Sequence, residues 1–138
     1  GIAVITPHPR ELSRLSGKSV TEIQESRIDT VRRLSQEWNV ILLLKGAFTV
    51  IGSPDARIFI NPTGNSALST AGSGDVLSGI IGAFLAQGLS PLHATLAGAF
   101  LHGLAADCFV QQNYSSYMVA SDLFDGLRLA RNSIKIRK

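Results

Sequence analysis

Residues 61–79 read NPTGNSALSTAGSGDVLSG. In it a small-residue turn, Gly72-Ser73-Gly74, runs straight into Asp75 and an apolar helical pattern. Small residues leave backbone N–H groups free to face an anion, and a helix start adds partial positive charge. The pattern describes a phosphate site with a carboxylate in it. Such a carboxylate takes a proton from a hydroxyl while amides hold a transferring phosphate, the division of labour that phosphoryl transfer requires. Read alone, GSGD fits an ordinary N-capped helix after a flexible loop better than it fits a phosphate site.

The elements on either side of this stretch alternate as in an α/β chain. Residues 2–5 form a short apolar run ending at Thr6-Pro7, a strand feeding a turn. A brief helix over about 9–15 is closed by Gly17, and a second begins near Thr21, a plausible cap, with Ile23, Ile28, Val31, Leu34 and Trp38 on one face. Residues 40–44 are wholly apolar, as a strand covered on both faces would be, and lead into Lys45-Gly46. Residues 49–52 and 57–60 read as an edge hairpin. Helices are predicted over about 75–86, ended by Gly88, over about 91–110 in a buried position, and over about 122–136 with Leu123, Leu127, Ala130 and Ile134 inward. These connections favour a mostly parallel sheet, whose ligands gather beyond the carboxyl ends of the strands. Thr6-Pro7-His8, Lys45-Gly46 and GSGD all fall at such ends.

At 138 residues, 45% hydrophobic and 17% charged, the chain suits one domain or less with a globular core. No apolar run reaches membrane-spanning length, and residues 1–5 lack a signal-peptide pattern, so a soluble chain is expected, with Gly1 not a natural start. The single cysteine, Cys108, excludes an internal disulfide; a small buried apolar role on a helix explains it better than a reducing compartment does. The formal charge is +3, with basic residues gathered at Arg128, Arg131, Lys135, Arg137 and Lys138. Aromatics do not interleave with them, so a solvated helix end is expected, with no nucleic-acid and no membrane partner. His102 and Asp107 are five apart, which does not set them on one helix face as a metal pair; core or helix-end hydrogen bonding is expected of both.

Four segments together resemble the NAD(P)H-hydrate dehydratases, nucleotide-dependent repair enzymes of the ribokinase-like superfamily: residues 6–11 (TPHPRE), 44–51 (LKGAFTVI), 61–79 and 101–107 (LHGLAAD). The resemblance implies a ribokinase-like three-layer sandwich with a mostly parallel sheet. It covers the C-terminal portion of a single nucleotide-binding domain, residues 1–138 being only part of it. It implies Asp75 as general base and substrate contact, His8 as a second contact to the hydrated nicotinamide, and Lys45, Gly46, Ala47, Phe48, Thr49 and Gly74 at the nucleotide. Glu11, Asn65, Gly72 and Ser73 form a second tier; Glu11 also reads as a first-turn dipole partner, and Asn65 as a residue that either orders the loop or touches phosphate. No residue is assigned to bind a metal directly. Magnesium would bridge the phosphates of ADP or ATP, the loop form pointing to the ADP-using bacterial branch.

The implied activity is dehydration of hydrated NADH or NADPH by phosphorylation and elimination, in a cytoplasmic homo-oligomer whose domain is completed by an N-terminal half. Two other readings fit the residues: a kinase for a small hydroxylated metabolite such as a sugar or pyrimidine alcohol, and a nucleotide-binding module without catalysis. Arg10, Ala71 and Ser73 stand where relatives commonly carry glycine, glycine and threonine.

Overall fold

The computed structural model describes residues 1–115 and 117–134. Four strands, β1 (Ala3–Ile5), β2 (Val40–Leu44), β3 (Val50–Gly52) and β4 (Ile58–Ile60), lie in the order β1-β2-β3-β4. β1 pairs parallel to β2, while β2–β3 and β3–β4 are antiparallel, with Leu42 opposite Gly52 and Val50 opposite Ile60. β1, β2 and β4 therefore run in one direction, and only β3 opposes them. The expected parallel character is carried by strand direction more than by pairing, because the short links around β3 are hairpins and only the helical crossover from β1 to β2 makes a parallel pair.

Side chains alternate along β2 and sort the core into two layers. Ile41 and Leu43 face Leu77 and Ile81 of α4 (Ser73–Ala86) and Leu92, Ala94 and Ala99 of α5 (Pro91–Asn113). Leu42 and Leu44 face Leu12, Ile23, Val31 and Leu34, which belong to α1 (Pro9–Ser16), α2 (Val20–Glu25) and α3 (Arg27–Glu37). Helices thus cover both faces of the sheet. A third cluster, built on Ala105, Ala106, Met118, Leu123 and Ala130, packs α6 (Asp122–Ser133) on the outer side of α5. No helix among the described residues is long and apolar enough to cross a membrane.

The second predicted helix is two. Its cap is Ser19, whose side chain and Glu22 form a capping box, and the helix breaks at Ser26 before α3. The break turns Ile28 away from the core, leaving it 40% exposed. α4 begins at Ser73, two residues before Asp75, so the GSGD sequence is itself the first turn. α6 ends at Ser133, with Ile134 exposed rather than inward; Lys135, Ile136, Arg137 and Lys138 lie outside the described residues. α5 is buried where it meets α4, the sheet and α6, as its composition implies, while Phe100 reaches solvent.

Candidate active site

Three strands that share a direction deliver their following residues to one end of the sheet. There a cleft of about 750 Å³ is lined by His8, by residues 45–49, by much of 61–75, and by His102 and Gly103 of α5. His8, Lys45, Gly46, Ala47, Phe48, Thr49, Asn65, Gly72, Ser73, Gly74 and Asp75 all reach it. Glu11 joins them through contacts to His8 and Lys45.

His8 is the N-cap of α1: its Nδ1 accepts the Glu11 backbone N–H at 3.2 Å, and the His8 N–H donates to Glu11 Oε2 at 2.7 Å. With Nδ1 accepting, the imidazole proton sits on Nε2. His8 thus caps the helix and lines the cleft at once. Accepting the His8 N–H lowers the Glu11 pKa below its ordinary 4.5, and Lys45, with Nζ 3.7 Å from Oε2, adds to this.

Lys45 is fixed at its backbone and its tip. Its N–H donates to Pro7 O at 2.9 Å, tying the ends of β1 and β2 together. Its ammonium lies beside Gly74, where a Cβ would come within 3.0 Å of Nζ. Gly74 therefore leaves room for a cation at the start of α4, against the unfavourable helix dipole. Glu11 offsets part of that repulsion, and an anion bound there would offset more. Phe48, at φ 54 and 73% exposed, is a bulky side chain held in the left-handed region at the cleft mouth. Such strain gathers at functional sites.

The loop before α4 is held by α5. Asp107 accepts from Gly64 N at 2.9 Å and from Asn65 Nδ2 at 2.8 Å, while Asn65 Oδ1 caps the short 3-10 turn Ser66–Leu68. Asn61 Nδ2 donates to Ala99 O, and Thr63 Oγ1 to Phe100 O. His102 is buried and donates from Nε2 to Ser73 O at 2.9 Å, and burial lowers its pKa below 6.5, with Lys45 acting in the same direction. Both α5 residues therefore make the hydrogen bonds expected of them. Ser73 Oγ donates to Leu68 O at 2.7 Å, so the serine ties the loop to the helix start. Only Gly72 in this turn needs a positive φ, 84; Ala71 does not, which explains how alanine fits there. Asp75 is exposed in the first turn of α4, and among the described residues its carboxylate takes no hydrogen bond or ion pair.

Sequence reading passed over Arg27, at the start of α3, whose guanidinium reaches the carbonyls of Leu44 and Lys45 behind the cleft. A lone arginine in an amphipathic helix carries no motif signal. Among the described residues no group of three or more His, Cys, Asp or Glu side chains could cage a metal.

The family model described as NAD(P)H-hydrate dehydratase matches residues 1–128. The chain is 50% identical over 127 residues to the bifunctional NAD(P)H-hydrate repair enzyme Nnr of Moorella thermoacetica, covering 92% of this chain and 24% of that protein. It is 42% identical over 132 residues to the ADP-dependent (S)-NAD(P)H-hydrate dehydratase of Neisseria meningitidis, covering 95% and 45%. It superposes with a TM-score of 0.92 at 34% identity on the ADP/ATP-dependent NAD(P)H-hydrate dehydratase of Bacillus subtilis co-crystallised with ATP/Mg2+, covering 98% of this chain and 50% of that one. The fold is ribokinase-like, and the chain spans about half the length of the single-activity relatives it matches.

Proposed function

Because the chain belongs to the NAD(P)H-hydrate dehydratase family, we propose that its cleft takes hydrated NADH or NADPH together with ADP or ATP, and that the protein carrying it restores the reduced cofactor. The observation that carries this reading is the exposed Asp75 carboxylate in a helix first turn, in one cleft with Lys45 and His8. With no hydrogen-bond or ion-pair partner among the described residues, this carboxylate is available to a substrate hydroxyl, while the α4 amides and Lys45 favour phosphate.

In the reaction, Asp75 accepts the proton of the hydroxyl that water addition left on the nicotinamide ring. The oxygen attacks the terminal phosphorus of the nucleotide, and the bond to the departing nucleotide breaks, so ADP leaves as AMP. The phosphorylated oxygen then departs as phosphate with its electron pair. A proton is lost from the neighbouring ring carbon, and the ring double bond returns. Hydrated NADH and ADP thus give NADH, AMP and phosphate.

Residues 45–49 and Gly74 hold the nucleotide, with the Phe48 ring offering a face to its base; His8 Nε2–H and Asp75 hold the hydrated ring. The donor set suits magnesium carried on the nucleotide rather than a protein cage, since that ion is commonly bound by one or two carboxylates plus phosphate. When bound there, the ion would neutralise charge on the transferring phosphoryl group, leaving the Asp75 carboxylate to the substrate hydroxyl. ADP is the proposed donor because this loop has the form of the bacterial branch. The remaining half of the domain would add to the sheet at β1, an edge strand beside which Ile2 is 43% exposed. A cytoplasmic homo-oligomer completes the proposal.

The test is to incubate the complete protein with hydrated NADH, magnesium and either nucleotide, and to follow recovery of reduced-nicotinamide absorbance. Recovery with ADP is the expected result. Absence of recovery with both nucleotides, in protein shown to bind them, would refute the reading.

A further inference from the structure

Arg27 lies outside every segment that lines the cleft, yet residues 44–46 are built on its side chain. It is the first residue of α3, and Ser26 before it makes no side-chain cap bond. Arg27 Nη2 donates to Leu44 O at 3.1 Å and to Lys45 O at 3.3 Å, and Nη1 donates to Gln24 Oε1 at 2.7 Å. The two carbonyls belong to the last residue of β2, which stands opposite Val50 of β3, and to the first residue beyond it.

The backbone answers from the other side. Gly46 has φ +141 and runs against the guanidinium, so a Cβ there would stand 3.0 Å from Nη1 and 3.1 Å from Nη2. A side chain at position 46 would displace the arginine, and a flat group in the arginine's place is what lets the chain turn so closely. Lys45 is thereby clamped at both ends of its backbone, its N–H by Pro7 O and its C=O by Arg27. That clamp directs the Lys45 ammonium toward Glu11 and Gly74 and starts the turn that carries Phe48.

We propose that Arg27 is a positioning residue for nucleotide binding, its guanidinium fixing the turn at residues 44–46 so that residues 45–49 meet the nucleotide. The inference rests on the reading of those residues as the nucleotide segment. An ammonium is a point charge on a flexible stem and does not supply a planar fork to three acceptors, so lysine is not an equivalent replacement.

The test uses the complete protein with Arg27→Lys, Arg27→Ala and, as a surface control, Arg33→Ala. Titration with ADP alone gives Kd, and steady-state repair of hydrated NADH gives KM for each substrate and kcat. Expected is an increase in ADP Kd and nucleotide KM of about tenfold in both Arg27 variants, the scale of one lost charge-assisted hydrogen bond. The hydrate KM and saturated kcat should stay within about twofold, and added methylguanidinium should partly restore ADP binding to Arg27→Ala. If the unaltered protein binds neither ADP nor ATP, the nucleotide reading itself fails and takes this inference with it. If it binds ADP and both variants bind equally well, only the role of Arg27 is overturned. Loss of thermal stability with kcat and both KM values degraded together would make Arg27 a structural residue and likewise overturn the proposal.

Discussion

Glu11 performs two tasks with one carboxylate: Oε2 accepts the His8 N–H and faces Lys45 Nζ. Its pKa is lowered in the folded chain, so the unfolded state binds more protons as the carboxyl titrates. The stabilisation is present above the ordinary value of 4.5 and is lost as pH falls through the depressed folded value. Glu11→Gln should therefore cost about 1 kcal/mol or less near neutral pH, and the difference from the unaltered protein should vanish in strong acid, as measured by denaturant unfolding at both pH values. His102 has the opposite chemistry but the same sign. Burial first, and Lys45 second, lower its pKa below 6.5, so on acidification the unfolded state protonates before the folded one does. Stability should fall as pH drops below 6.5, and that part of the slope in thermal midpoint should be missing from His102→Gln.

At the scale of elements, α5 supports the cleft by contacts too close for larger residues. α6 approaches it so tightly that a Cβ on Gly126 would lie 2.3 Å from Ala105 O, a backbone atom that cannot swing away. Gly126→Ala should destabilise the protein by about 1–3 kcal/mol or more, read from thermal or denaturant unfolding, with catalysis at low temperature much less affected. The elements nearest the cleft were the most legible in the sequence. β2 showed as an unbroken apolar run, the hairpin as turn chemistry between short strands, and the α4 start as a glycine turn before an acid. The break at Ser26 was not legible, because neither proline nor glycine marks it; the Ser19-to-Glu22 capping box was a usable signal for the earlier start. Arg27 escaped because its partners are backbone carbonyls seventeen and eighteen residues away, which leave no trace in residue type. Asn65 was left between ordering the loop and touching phosphate, and its two side-chain bonds favour the former.

For the whole molecule, the open edge of β1 and the match to about half the length of single-activity relatives point the same way. Expressed alone, the chain should self-associate or need the rest of the domain, and co-expression with that remainder should give a discrete soluble species; light scattering after size-exclusion chromatography distinguishes these. The cleft works as a unit only if the anion site and the base act on one substrate. The turnover of Asp75→Asn in the complete protein, with ADP affinity measured on the same preparation, tests this most directly. A fall in kcat of about a hundredfold or more with ADP affinity retained is the expected result. Unchanged turnover would remove Asp75 from the chemistry and leave the cleft without its proton acceptor.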